Sequence, residues 1–211
     1  MKILALDISS KNTGWCILLN SLILDKGEIA GDPNHIHPSK LKTYREKLDA
    51  IISTHKPDLI AIEDAWSGKN KLTFKILAYY HGVTLELSGT HSVPLSVMMP
   101  SRFRRIVGAA HNTKLNFADR ESAKNATGEL VRRLGLASAT DSEDICDSVA
   151  IAVAAELWHT KFKEHLDAEG KANPKIRSAK RLAELATKST ELHFKALEKA
   201  NEKLVGRTGG R

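Results

Sequence analysis

The stretch Lys2-Ile3-Leu4-Ala5-Leu6-Asp7 decides the fold, together with the Ser9-Ser10-Lys11-Asn12-Thr13-Gly14 segment that follows it. Four consecutive apolar residues closed by a carboxylate read as a core strand with an acid at its end. An unpaired buried carboxylate is costly, so it shifts its pKa, finds a hydrogen-bond partner or coordinates a cation. The rest of the chain has to supply the reason for Asp7.

Outward from that strand, residues 14–19 and 22–30 read as two more. The first pair is joined by a turn containing Thr13-Gly14 and the next around Asn20-Ser21, which gives an antiparallel meander. Leu41, Tyr44, Leu48, Ile51 and Ile52 recur at helical spacing and predict a helix over 39–55. Lys56-Pro57-Asp58 breaks it, and Leu59-Ile60-Ala61-Ile62 begins a buried strand ending at Glu63. Residues 71–87 read as helix, 93–98 as strand, 100–108 and 119–134 as helices, and 144–159 as a final apolar helix. This βββαβαβα order, with helices to follow, predicts an α/β protein: a mixed sheet flanked by helices, resembling RNase H-like proteins.

The 211 residues carry a net charge of +7 and suit one domain, 1–159, with an appendage, 160–211. That appendage holds 13 Lys/Arg against 7 Asp/Glu, so most of the basic excess lies there. Within it, 167–174 reads as a linker, and 175–204 places Ile176, Leu182, Leu185, Leu192 and Leu204 on one side of a basic amphipathic helix. Cys16 and Cys146 have neither the number nor the spacing of a disulfide framework or zinc site, which fits a reducing compartment. No apolar run approaches the roughly 20 residues that span a bilayer, and no leader pattern is present. The expectation is a soluble, cytoplasmic protein with no membrane partner and an affinity for acidic molecules.

Four acids stand out: Asp7, Glu63, Asp144 and Asp147, the last two three apart and so on one helix face. With the first strand central and a parallel neighbour ending at Glu63, these acids approach one another at one edge of the sheet. Gathered carboxylates repel unless a hard cation neutralises them, and Mg²⁺ prefers oxygen ligands while keeping sites for water and phosphate oxygens. Two such ions roughly 3.5–4 Å apart suit phosphodiester hydrolysis. Asp141 or Ser142 reads as an N-cap, and Glu143 as an acid favoured in a first helical turn.

Leu4-Ala5-Leu6-Asp7-Ile8-Ser9, Thr13-Gly14, Ile60-Ala61-Ile62-Glu63 and Asp144-Ile145-Cys146-Asp147-Ser148-Val149-Ala150 together resemble the RuvC family of Holliday junction resolvases, over roughly residues 1–159. The resemblance implies a homodimeric endonuclease that resolves four-way junctions, and other branched DNA, by paired nicks leaving 5′-phosphate and 3′-hydroxyl ends. It implies Mg²⁺ as cofactor, two ions per site with Mn²⁺ able to substitute, held by Asp7, Glu63, Asp144 and Asp147. Trp66, three positions after the second acid, matches a family aromatic that stacks on a base at the opened junction centre, and the neighbouring Lys69 and Lys71 follow it in the chain. Arg102, Arg104, Arg105, Lys114 and Arg120 lie where the family has basic contacts to the DNA backbone. Ser9-Ser10-Lys11 replaces the glycine- and proline-containing turn of the usual bacterial pattern, and the chain continues past the usual end, which suggests a phage or divergent member.

Three rivals share parts of this pattern. An ATP-dependent phosphotransferase of the actin-like class also follows a strand-borne Asp with a Ser/Thr/Gly turn, but needs a second lobe with a second such turn. An RNase H acting on RNA–DNA hybrids, or a transposase-like domain, uses the same metal logic, which fold alone does not separate. A non-catalytic DNA-binding or packaging accessory protein would have no need to keep four acids.

Overall fold

The computed structural model describes residues 1–9, 11–30, 38–65, 71–113 and 120–162. The expected linker and amphipathic tail helix, and the sequence-identified Trp66, Lys69 and Lys114, lie outside the described residues. The strands are β1 (Lys2–Asp7), β2 (Asn12–Leu19), β3 (Leu22–Ala30), β4 (Leu59–Glu63) and β5 (Leu95–Met98). The helices are α1 (Pro38–His55), α2 (Lys71–Thr90), α3 (Pro100–Ala110), α4 (Arg120–Arg133) and α5 (Glu143–Leu157), which runs into a π-helical turn, Trp158–Phe162. The sheet order is β3-β2-β1-β4-β5, so β1 is central; β1–β2 and β2–β3 are antiparallel, β1–β4 and β4–β5 parallel. This is the mixed sheet that the sequence predicts.

Side-chain alternation along β1 builds the two sides of the molecule. Leu4 and Leu6 join Ile17, Ile60 and Ile62 beneath Tyr44, Leu48 and Ile52 of α1 and Ile76, Tyr80 and Leu87 of α2. Ile3 and Ala5 join Cys16, Leu18 and Ala61 beneath α5, with Phe103 and Val107 of α3 and Leu130 and Val131 of α4. Because strand side chains alternate with period two, Asp7 follows Ile3 and Ala5 onto the α5 side, and Glu63 follows Leu59 and Ala61 there.

The register that brings the two acids level is pinned at the far end of the strands. Lys2 N–H donates to Asp58 Oδ2 (2.7 Å) and Asp58 N–H returns to the Lys2 carbonyl (2.8 Å), so that Leu6 pairs with Ile62 four residues on. The β2–β3 hairpin turns through Asn20 and Ser21, both at positive φ (49° and 64°), the geometry of a two-residue hairpin loop. Ser21 holds that conformation without being glycine because the Glu156 carboxylate of α5 accepts from its N–H (2.9 Å) and its hydroxyl (2.6 Å).

The turn expected at Thr13-Gly14 is replaced by strand: both residues belong to β2, with Gly14 paired to Asp7 on one side and Glu28 on the other. Glycine is required there because α5 begins directly above it. A Cβ on Gly14 would lie 2.0 Å from the Asp144 carbonyl oxygen and 2.7 Å from the Ile145 nitrogen.

Candidate active site

Three separate elements deliver the acids to one place. Asp7 ends β1, Glu63 ends the adjacent parallel strand β4, and Asp144 and Asp147 occupy the first turns of α5, seated on Gly14. Asp7, Glu63 and Asp147 each present a carboxylate oxygen such that all three lie within 4.8 Å of one another. Asp7 and Asp147 are almost fully enclosed, 5% and 2% exposed. Asp144 lies at the edge of the group and meets Asp7 and Asp147 through a shared cation.

The N-terminus of α5 is fixed from several directions. Ser142 is its N-cap, accepting from Ile145 N–H (3.2 Å), and its hydroxyl also donates to Glu28 of β3. Asp141 is no cap: it forms an ion pair with Lys26 of β3 and accepts from Ser138 N–H (2.6 Å). Arg132 of α4 donates to the Asp141 carbonyl (2.8 Å) and the Ser138 carbonyl (3.3 Å). The segment that carries Asp144 and Asp147 is therefore tied to β2, β3 and α4 together.

Two cations complete the cluster. Lys124 Nζ, from α4, lies 3.5 Å from Asp7 Oδ2, 3.5 Å from Asp144 Oδ1 and 3.3 Å from Asp147 Oδ2. Arg104 Nη2, from α3, donates to the same Asp147 Oδ2 at 3.1 Å. Burial, opposed by Lys124 and reinforced by the neighbouring acids, holds the Asp7 carboxyl well above its usual range. Burial raises Asp144 as well, against the pull of Lys124. Burial alone would depress Lys124, yet Asp7, Asp147 and Asp144 hold it above the usual lysine range.

The sequence grouped Arg104 with surface cations poised for DNA, and the structure corrects that. Arg104 is 4% exposed and faces inward beside Phe103, Val107 and Gly108, whereas Arg102 and Arg105, one turn apart, face solvent. Arg102 sits over the Trp158 ring at 5.1 Å. Lys71 is exposed at the start of α2, and Arg120 begins α4. Lys124 was not singled out from sequence, although its spacing to Thr127 and Val131, both buried, puts it on the inward face of α4.

The donor set is all oxygen, with no His or Cys in the group, so it suits a hard divalent cation better than zinc. Three oxygens this close are also the arrangement that a small cation draws together. A sheet of this topology, with a buried carboxylate cluster at the carboxyl ends of its central parallel strands, defines an RNase H-like nuclease core.

The family model for the crossover junction endodeoxyribonuclease RuvC matches residues 3–155. The chain belongs to the RuvC family, and the enzyme is an endodeoxyribonuclease. A RuvC from Campylobacter concisus is 31% identical over 163 residues, spanning 72% of this chain and 94% of that protein. A RuvC from Gloeobacter violaceus is 27% identical over 165 residues, 75% of this chain and 90% of that protein. Among solved structures, T. thermophilus RuvC in complex with Holliday junction substrate superposes with a TM-score of 0.63 at 15% identity, covering 75% of this chain and 94% of that one. That likeness is one of fold.

Proposed function

We propose that the protein resolves four-way DNA junctions by paired, Mg²⁺-dependent phosphodiester hydrolysis, with Asp7, Glu63, Asp144 and Asp147 as the catalytic acids. The convergence of Asp7, Glu63 and Asp147 from β1, β4 and α5 on one cation-sized space, with Asp144 joined to Asp7 and Asp147 through Lys124, carries this reading. Bound ions, two per site, would activate a water and stabilise the departing 3′-oxygen, leaving 5′-phosphate and 3′-hydroxyl ends. Asp7 and Glu63, fixed on rigid strands, set the floor of the site, and α5 sets its wall. Arg104 holds Asp147 Oδ2, so that this carboxylate keeps one orientation. Mn²⁺, with similar preference for oxygen, is the natural substitute.

Paired cuts need two active sites, and the described residues form one, so the working unit is a homodimer. An exposed face of α2 supports this: Leu72 is 63% exposed, Leu85 60% and Tyr79 40%, and Gly82 and Gly89 leave open space beside them. Arg102, Arg105, Lys71 and Arg120, with Lys69 and Lys114, supply phosphate contacts that position the branched DNA. Trp66 stacks on an unpaired base at the junction centre. The basic segment 160–211 adds sequence-independent affinity for DNA as a separate unit from 1–159. No helix among the described residues is long and apolar enough to cross a membrane, and a cytoplasmic enzyme would meet its DNA directly.

Asp7→Asn tests the assignment. It removes one anionic ligand while keeping shape, so Mg²⁺-dependent cleavage should be lost and junction affinity kept. Cleavage at the wild-type rate by that variant would remove Asp7 from the site.

A further inference from the structure

We propose that the Lys124 ammonium occupies the second of the two divalent-cation positions while the protein is free of DNA, and that a substrate phosphate draws it out so that the second ion enters with DNA. This deepens the metal-dependent reading above and rests on it.

The geometry separates two places in the cluster. Asp7, Glu63 and Asp147 form one compact group of oxygen donors. An ion that linked Asp144 to Asp7 and Asp147 would need the space among those three carboxylates, and Lys124 Nζ is there, 3.3–3.5 Å from all three. A divalent ion and an ammonium do not occupy one position, because each would have to sit at contact distance from the same carboxylate oxygens of Asp7, Asp144 and Asp147.

The two cations of the cluster differ in their freedom to leave. The Arg104 side chain is 5% exposed and bonded through Nη2 to the enclosed Asp147 carboxylate, so it has no path to another partner without breaking a buried pair. The Lys124 side chain is 17% exposed, on a flexible four-carbon stem whose ammonium can trade one anionic partner for another. A DNA phosphate at the open edge beside Asp144 is the partner of matching charge.

Charge balance runs the same way. The four carboxylates carry four negative charges and Lys124 and Arg104 return two, which leaves the DNA-free site matched to a single divalent ion. With Lys124 withdrawn and a second ion in place, the site holds one net positive charge, and the scissile phosphodiester cancels it. The fully loaded site would then assemble only on DNA, a restraint on cutting before substrate is seated.

Manganese stoichiometry of the 211-residue protein tests this, measured by equilibrium dialysis, with electron paramagnetic resonance to detect a spin-coupled ion pair. Wild type alone should bind about one Mn²⁺ per protomer, and about two, coupled, on a phosphorothioate four-way junction that resists cleavage. Lys124→Met should take up the coupled pair without DNA, and Lys124→Arg, which keeps the charge, should not. A coupled pair in DNA-free wild type, or a single ion in DNA-free Lys124→Met, would overturn the proposal while leaving the metal-dependent nuclease intact. Wild type that binds no Mn²⁺ in either state would overturn the metal-dependent reading itself.

Discussion

Replacing Gly14 by alanine should disable the active site without touching any acid. The new Cβ would start 2.0 Å from the Asp144 carbonyl oxygen, and ordinary van der Waals contact begins at 3.4 Å, so α5 must withdraw by about 1.4 Å or β2 must bend away. Neither is easy: β2 lies between β1 and β3, and the start of α5 is bound through Ser142, Asp141 and Arg132. Overpacking of this kind costs roughly 1–3 kcal/mol. For a domain of this size each kcal/mol lowers Tm by roughly 2–4 °C. The catalytic effect should be larger, because displacement by about 1 Å can cost 10²-fold in rate. Single-turnover nicking of a labelled four-way junction at saturating Mg²⁺, beside circular-dichroism melting, reads both quantities. The expected result is a rate reduced by about 100-fold with junction affinity unchanged and a Tm lower by several degrees. Wild-type rate and wild-type Tm would show that the contact between β2 and α5 does not position Asp144 and Asp147.

Arg104→Met should destabilise the fold through Asp147. Removing one partner of a buried pair costs about 3–5 kcal/mol, and Lys124 beside the same oxygen keeps the loss at the lower end, so thermal melting should show a Tm fall of roughly 10 °C; an unchanged Tm would contradict the buried pairing. The raised carboxyls of Asp7 and Asp144 predict a pH-dependent metal effect. A folded pKa above the ordinary 3.8 means the folded state binds protons more readily, so metal-free stability declines as pH rises from that value through the raised one. A cation offsets the cost only where the acids are ionised, and Mn²⁺ should raise Tm more at about pH 8 than at about pH 5, with equal increments counting against a carboxylate site. Trp66→Ala should slow cleavage of intact four-way junctions more than cleavage of a flexible, pre-opened branch, and equal losses on both would refute base stacking.

The sheet was readable from sequence because its evidence is local. Apolar runs ending in Asp7 and Glu63 mark strands, and period-two alternation already sends both acids to the α5 side. Asp147 was readable because an acid leading into Ser148-Val149-Ala150-Ile151 must face a core. Other parts of the site depend on contacts distant in sequence. Gly14 looked like a turn glycine beside Thr13, since nothing nearby announces that Asp144 will press on it. Lys124 and Arg104 look like any surface cations until α4 and α3 are docked, and three arginines in four positions of α3 hide the fact that helical periodicity turns the middle one inward. Buried cations are rare enough that residue type argues for the surface; here the acids they neutralise justify the exception.

Where the protein cuts distinguishes a junction resolvase from every other metal-dependent nuclease of this fold. The 211-residue enzyme with Mg²⁺, offered end-labelled linear duplex, Y-fork, four-way junction and RNA–DNA hybrid, should nick the junction in two strands at symmetric positions and leave duplex and hybrid intact. Unpaired nicks scattered over linear duplex, or cleavage confined to the RNA strand of the hybrid, would contradict it.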